Sequence, residues 1–242
     1  MVFFTSKKLY NLDMDFVGIE KLSLVDYDGK ISCILFTEHC NFRCPFCHNS
    51  ALVLGKNNFA IPFEDILSYL KKRKGVLDGV VISGGEPTLM PDLKEKIKAI
   101  KDLGYAIKLD SNGTHPETIK DLYESGLIDY VAMDIKNSPD GYPEIVGTVH
   151  VDMDKIKESI HYLKTSGIDY EFRTTLVSEF HDEERIEEMG KMIEGAKCLF
   201  LQKFISSEHC IETNLNPVDE NTANKYKEIL SKYVKKVSLR GY

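Results

Sequence analysis

Hydrophobic positions in this chain follow two patterns that alternate along the sequence. One is a short apolar run, and the other is a longer stretch with apolar residues three and four positions apart. Short apolar runs are typical of strands in a covered parallel sheet, and the spaced stretches are typical of amphipathic helices. The predicted strands cover residues 31–37, 79–83, 105–110, 130–134, 169–176 and 198–203. Six alternating strand and helix units predict an α/β fold with a parallel sheet and right-handed crossovers.

Turn residues mark the ends of these predicted elements. Glycine favours the left-handed position just past a helix, and four predicted helices are followed by Gly104, Gly126, Gly167 and Gly195. A further helix-like run covers residues 221–233, and a short strand at 237–239 closes the chain. Near the start, Asp28 and Gly29 predict a hairpin turn. Residues 1–15 have no clear periodicity and are expected to form an arm or an extra strand.

Length and composition point to one folded domain. The chain has 242 residues, of which 43% are hydrophobic and 29% charged, which is typical of a globular protein with a sizeable core. We divide it into an N-terminal strand or hairpin extension (1–30), a core (31–204) and a C-terminal helix with a short strand (205–242). Periodicity does not distinguish an open doubly wound sheet from a barrel or partial barrel.

The charge balance limits the kinds of partner. The formal net charge of −7 disfavours binding to a nucleic-acid backbone or an anionic membrane. The densest basic run, residues 71–74, lies at the end of a predicted helix, where cations suit the helix dipole. The sequence has neither a long apolar span nor the features of a signal peptide, so we expect a cytoplasmic protein.

Three cysteines, Cys40, Cys44 and Cys47, follow the first predicted parallel strand with the spacing C-x3-C-x2-C. Clustered thiolates are soft ligands that suit iron-sulfur clusters or zinc. A closed zinc site takes four ligands, and His48 could supply the fourth, whereas a cubane held by three cysteines keeps one iron open. The other cysteines are scattered, which excludes a disulfide framework.

This cysteine loop resembles that of the radical S-adenosylmethionine (SAM) enzymes, with Phe46 at the aromatic position before the third cysteine. Residues 18–30 and the loop are similar to the opening of the anaerobic ribonucleoside-triphosphate reductase activating proteins, relatives of pyruvate formate-lyase activating enzyme. The resemblance covers residues 18–204. It implies a six-unit (β/α) partial TIM barrel, one 4Fe-4S cluster held by the three cysteines, and SAM as a further cofactor.

Active sites of barrels gather at the carboxyl ends of strands, and the second predicted strand ends in Gly84, Gly85 and Glu86. Two glycines allow a ligand to approach the backbone closely, although a plain strand-to-helix turn would also explain them. The residues resemble the GGEP motif of the family. The resemblance implies that all three hydrogen-bond the methionyl amino group of SAM.

The third and fourth predicted strands end in two more polar motifs. Asp110, Ser111 and Asn112 belong to an Asp-Ser-Asn-Gly sequence that an Asx turn could explain, and the family usually has threonine in place of the serine. By resemblance, these residues lie in the SAM site and Asp110 helps to hold the amino group. Asp134 and Lys136 could form an ordinary surface ion pair, but the resemblance assigns them to the ribose hydroxyls and the methionyl carboxylate.

The last two predicted strands contribute Arg173 and Gln202. A guanidinium among apolar strand residues needs an anionic partner, which is either the SAM carboxylate or an internal Asp or Glu. Gln202 stands where the pyruvate formate-lyase branch has a histidine, and the resemblance implies a contact with the ribose or adenine.

The resemblance implies a radical SAM activase. One electron would cleave SAM to methionine and a 5′-deoxyadenosyl radical, which would take a hydrogen atom from a glycine of a partner, an anaerobic ribonucleotide reductase. A flavodoxin or ferredoxin-type protein would supply the electron. Two alternatives stay open: an enzyme acting on a small molecule, as a 7-carboxy-7-deazaguanine synthase does, and a non-catalytic iron-sulfur or zinc protein. The strand-end motifs argue against the non-catalytic alternative, because electron transfer needs no nucleotide site.

We predict that the protein binds one cluster through the three loop cysteines only. The variants Cys198→Ala and Cys210→Ala should therefore keep the full iron content of the reconstituted protein, because neither cysteine shares a loop with another. Iron and sulfide analysis tests this. Loss of about half the iron in either variant, with a cluster still present, would point to a second cluster.

Overall fold

The computed structural model describes residues 15–54 and 59–242, so most of the predicted N-terminal arm lies outside the described residues. The described part contains one sheet whose strands follow their order in the sequence. The strands are β1 Phe16–Ser23, β2 Ser32–Thr37, β3 Gly79–Gly84, β4 Ala106–Ser111, β5 Tyr130–Asp134, β6 Asp169–Leu176, β7 Leu199–Lys203 and β8 Val237–Arg240. β1 pairs antiparallel with β2, and every later pair is parallel.

Helices separate the parallel strands. They are α1 Ser50–Val53, α2 Phe63–Lys72, α3 Leu93–Lys101, α4 Pro116–Glu124, α5 Tyr142–Ile145, α6 Met153–Thr165, α7 Glu183–Met192 and α8 Glu220–Leu230. The six longer helices lie where the apolar spacing predicts them. The four-residue helices α1 and α5 were not predicted, because one turn is too short to show a helical period.

The sheet topology excludes the doubly wound alternative. A doubly wound sheet reverses its strand order at a switch point and carries helices on both faces. Here the order runs from β1 to β8 without reversal, and the apolar sides of the helices join one core on a single face of the sheet. The C-terminal strand β8 pairs with β7, so the sheet has seven parallel strands where six were expected. The curvature of a six-unit partial barrel stays a prediction, as do the domain boundaries.

The two faces of the sheet differ in chemistry because side chains alternate along each strand. Residues such as Leu35, Ile107 and Phe172 pack against the helices and are completely buried. The opposite face carries a small apolar group around Tyr27 and Val81, followed by charged side chains towards the carboxyl ends of the strands. This second face therefore becomes charged towards the edge of the sheet where the parallel strands end.

Parallel strands end at the same edge, so the turns after β2 to β7 meet there. All the predicted site residues lie on these strand ends or in the turns that follow. Among the described residues, no helix has the length and apolar character needed to cross a membrane.

Candidate functional site

A cavity of about 280 Å³ opens at the carboxyl ends of the strands. Every site residue predicted from the sequence contributes to its wall: Cys40, Cys44, Phe46, Cys47, Gly84, Gly85, Glu86, Asp110, Ser111, Asn112, Asp134, Lys136, Arg173 and Gln202. The wall also includes His48, named above as a possible zinc ligand, and residues that the sequence did not single out, namely Phe42, Asn49, Val53, Ser83 and Thr175. The tertiary structure thus brings all the predicted motifs to one place.

The cysteine loop forms one side of the cavity, and two backbone hydrogen bonds hold its middle. The Arg43 N–H donates to the carbonyl of Val146 at 2.8 Å, and the Glu212 N–H donates to that of Pro45 at 2.8 Å. Burial raises the pKa of Cys40 to about 12 and that of Cys44 to about 11. Burial therefore disfavours the thiolate form of these cysteines, a cost that ligation to a metal cation would offset.

The three thiols fit an iron-sulfur cubane better than they fit a single ion. Within the part of the chain that the structure describes, no three His, Cys, Asp or Glu side chains converge to hold one metal ion. A cubane binds each thiolate to a different iron and does not require that convergence. His48, the potential fourth zinc ligand, instead places Nδ1 3.3 Å from the Ser207 hydroxyl.

The two glycines at the end of β3, Gly84 and Gly85, are required by the packing of the backbone around them. Gly84 has a φ of 117°, and a Cβ added there would lie 2.4 Å from the backbone of Thr37. A Cβ on Gly85 would lie 1.8 Å from the carbonyl oxygen of His39. This close approach lets the N–H groups of Gly85 and Glu86 donate to Thr37 and His39 at 2.9 and 2.7 Å. The glycines therefore set the distance between the cysteine loop and the turn after β3.

The Glu86 carboxylate is 1% exposed and connects two turns. Oε1 accepts hydrogen bonds from the N–H and hydroxyl of Thr88 and from the Ser111 hydroxyl, at 3.1, 2.6 and 2.9 Å. Oε2 accepts one from the Asn112 N–H at 2.7 Å. Burial raises the pKa of Glu86, although these hydrogen bonds favour its charged form. Oε2 keeps acceptor capacity for a ligand donor.

Four charged side chains alternate in sign across the ends of β4, β5 and β6. Arg173 donates from Nε to Asp134 at 3.0 Å and from Nη1 to Asp110 at 3.1 Å. Lys136 donates to the other oxygen of Asp134 at 2.9 Å. Burial alone would raise the pKa of Asp134, but Arg173 and Lys136 overcome it and hold that pKa at about 2.

This network decides between alternatives that the sequence left open. Asp134 and Lys136 do form an ion pair, but it lines the cavity, with side chains only 27% and 14% exposed. Arg173 finds its anionic partners inside the protein, in two aspartates. Two bonds use two of its five N–H donors, so the guanidinium can also bind an anionic ligand.

Two residues without a predicted role hold Lys136 in place. The Lys136 N–H donates to the Tyr142 hydroxyl at 3.1 Å, and its carbonyl lies 3.0 Å from Nε2 of the buried His181. The ammonium also sits 5.7 Å from the centre of the Phe46 ring. The sequence did not predict the roles of Tyr142 and His181, because contacts with the backbone of residue 136 produce no recognisable motif.

Cys210 lies closer to the cysteine loop than its sequence position indicates. Its Sγ is 3.8 Å from the carbonyl oxygen of Phe46 and 3.7 Å from His48 Nδ1. Cys198 is far along the sheet, and its thiol donates to the carbonyl of Tyr170 at 3.4 Å. The C-terminal segment therefore packs against the loop, a contact that separation in sequence conceals.

Comparison with known proteins identifies the family. The pattern of the Radical SAM superfamily matches residues 34–192, and the chain belongs to this superfamily. It is 36% identical over 230 residues to a protein of Methanocaldococcus jannaschii provisionally named a glycyl-radical enzyme activating enzyme, covering 92% of this chain and 94% of that one. It is 27% identical over 187 residues to the pyruvate formate-lyase-activating enzyme of Clostridium pasteurianum, covering 74% of this chain and 76% of the relative.

The fold agrees with this assignment. A radical SAM methyltransferase from Sphaerobacter thermophilus superposes with a TM-score of 0.70 at 14% identity, covering 91% of this chain and 69% of that structure. Members of the superfamily bind a 4Fe-4S cluster and SAM, which confirms the two predicted cofactors. The three cysteines, of which Cys44 is buried and the other two are half-buried, and the charged wall of the same cavity fit both groups.

We predict that Gly85→Ala abolishes cluster binding, because its Cβ would overlap the carbonyl oxygen of His39 and push the cysteine loop away. Gly104→Ala is the matched control. Its φ of 92° imposes strain of about 1 kcal/mol, but a Cβ there meets no atom within 4 Å. The control should reconstitute with normal iron and the characteristic visible absorbance. Full iron in Gly85→Ala would contradict the proposed packing.

Proposed function

We propose that the protein is a radical SAM activase that removes a hydrogen atom from a glycine of a partner enzyme. The observation that carries this proposal is the cavity itself, in which three thiols face a wall of paired cations and carboxylates. The relationship to the M. jannaschii protein, over 94% of that protein's length, supports the activase class.

Cys40, Cys44 and Cys47 are the proposed cluster ligands. They are the cysteines that line the cavity, and a fourth ligand is unnecessary if one iron is to stay open for SAM. The role of the chain is to hold the three thiols at fixed positions and to exclude water from the cluster. Phe46 and Phe204 contribute to that exclusion, with ring centres 6.4 Å apart.

The wall opposite the cysteines is the proposed SAM site. Lys136 and Arg173 supply positive charge for the methionyl carboxylate, while Gly84, Gly85 and Glu86 hold the ammonium group with help from Asp110. Asp134 and Gln202 bind the ribose or adenine, and Ser111 and Asn112 shape the adjoining turn. When bound, SAM and the reduced cluster supply the 5′-deoxyadenosyl radical.

The charged network prepares this site before SAM arrives. Asp134 stays ionised because its pKa lies at about 2, and it keeps Lys136 charged by raising that residue's pKa against the opposing effect of burial. A carboxylate ligand can therefore form charge-assisted hydrogen bonds without any proton transfer. Fixed charges of this kind lower the reorganisation needed on binding.

The proposed partner is a glycyl-radical enzyme, in the first instance an anaerobic ribonucleotide reductase, with a flavodoxin or ferredoxin-type protein as electron donor. Residues 18–30 and the cysteine loop support this choice through their resemblance to the activators of that reductase. The net charge of −7 supports a protein partner over a nucleic acid or a membrane. We place the reaction in the cytoplasm.

Replacing Lys136 with alanine should weaken SAM binding. Loss of a charge-assisted hydrogen bond costs roughly 1.5 to 3 kcal/mol, which corresponds to about a ten- to hundredfold loss of affinity. Isothermal titration calorimetry on the cluster-loaded protein measures the effect. Lys94→Ala is the control, because Lys94 pairs with Asp121 on the surface, with side chains 44% and 56% exposed. Equal affinity in both variants would remove Lys136 from the SAM site.

Electron paramagnetic resonance tests the activase proposal directly. The reduced protein, SAM and a candidate glycyl-radical enzyme should give a doublet that collapses when the partner's glycines carry deuterium at the alpha carbon. The Cys44→Ala variant should give no such signal. Turnover of a small purine-like molecule, with every candidate partner silent, would favour the small-molecule alternative instead.

A further inference from the structure

A closed ring of hydrogen bonds lies behind the Cys40 end of the cavity. Asn112 Nδ2 donates to Asn41 Oδ1 at 2.8 Å, and Asn41 Nδ2 donates to the Thr114 hydroxyl oxygen at 2.9 Å. The Thr114 hydroxyl donates back to Asn112 Oδ1 at 2.7 Å, which completes the ring. The Thr114 N–H also donates to Asn112 Oδ1, at 3.0 Å.

The ring fixes the orientation of the Asn112 amide. Both acceptor bonds on Oδ1 come from Thr114, and its backbone N–H can only donate, so a flipped amide would place an NH₂ group against that N–H. Asn112 and Thr114 are 6% and 7% exposed, and such a conflict cannot be relieved by water. The NH₂ group must therefore face Asn41 and the cysteine loop.

In this orientation the amide also points at a sulfur. Asn112 Nδ2 lies 3.9 Å from Cys40 Sγ, at the outer limit for a hydrogen bond to sulfur, and the Phe42 N–H lies 3.3 Å from the same atom. A donor directed at a thiolate stabilises negative charge on it. Hydrogen bonds to the ligand sulfurs are among the features that set the reduction potential of an iron-sulfur cluster.

His115 anchors the ring to the turn after β3. Its Nδ1 lies 3.1 Å from the Thr114 hydroxyl oxygen and 3.2 Å from that of Thr88. The Thr114 hydroxyl proton is directed to Asn112 and the Thr88 proton to Glu86, so neither can be given to the histidine. His115 must carry its proton on Nδ1 and donate it to the threonines.

We propose that the ring of Asn41, Asn112 and Thr114, anchored by His115, aims the Asn112 amide at the Cys40 sulfur and raises the reduction potential of the cluster. The inference rests on the proposed ligation of the cluster by Cys40. It gives Asn41, Thr114 and His115 positioning roles, and it gives Asn112 a function towards the cluster in addition to its place in the SAM site.

The test is a redox titration of the reconstituted protein, followed by electron paramagnetic resonance, in the absence of SAM and of any partner. Asn112→Leu removes the donor, and Thr114→Val breaks the ring without replacing a residue of the cysteine loop. Both should keep full iron and titrate at a more negative potential than the wild type, with the larger shift in Asn112→Leu. Asn49→Leu is the control, because Asn49 lines the same cavity but donates to the carbonyl of Gly84.

Two histidine variants separate anchoring from simple packing. His115→Asn keeps a side-chain N–H near the position of Nδ1 and should retain the wild-type potential, whereas His115→Leu should shift it in the negative direction. An unchanged potential in Asn112→Leu and Thr114→Val would overturn the inference. So would loss of the cluster from both, because the ring would then be required for assembly rather than tuning.

Failure of this inference can be told apart from failure of the ligation on which it rests. If Cys40→Ala keeps the full cluster, the ligand assignment is wrong and the ring has no sulfur to influence. If Cys40→Ala loses the cluster while the ring variants titrate like the wild type, only the tuning role is wrong. Because no step uses SAM or a glycyl-radical enzyme, the outcome does not depend on the activase proposal.

Discussion

The guanidinium of Arg173, whose side chain is 14% exposed, is the constraint on which the site depends. A charge in this position is costly unless it is fully paired, and its two aspartate partners come from β4 and β5. Arg173 therefore ties the carboxyl ends of three adjacent strands to one another. The positions of Asp134 and, through it, Lys136 follow from that pairing. The wall of the cavity is set by internal electrostatics before any cofactor binds.

The second constraint is close backbone packing between the cysteine loop and the turn after β3. Gly84 and Gly85 are needed because Thr37 and His39 occupy the space that side chains would take. Glu86, buried just beyond them, then gathers donors from Thr88 and from the end of β4. Loop, turn and strand end form one hydrogen-bonded unit. A small displacement in any part would be transmitted to the cysteines of the loop.

Paired charges also occupy the second face of the sheet beyond the cavity. Lys108 lies 3.4 Å from Asp110 and 3.9 Å from Glu171, and Glu171 pairs with Arg240 at 3.2 Å. Lys108 and Glu171 are almost completely buried, so each charge is stabilised by the next one along the face. Ion pairs of this series also connect β8, the strand that was not expected in the parallel sheet, to β6. Arg240 on β8 is the cation at the end of this series of ion pairs.

The sequence by itself determined the order of the strands and longer helices and the position of the cysteine loop, because periodicity, glycine positions and motif spacing are local properties. The family resemblance of its strand-end motifs supplied the remaining predicted site residues, all of which line the cavity. It could not settle whether Arg173 pairs with an aspartate or a ligand, since the choice depends on side chains 39 and 63 positions away. Only the tertiary structure placed Asn41 in one ring with Asn112 and Thr114, His115 against that ring, and Cys210 beside the loop. Their contacts join separate turns, and nothing in local sequence records which turns meet.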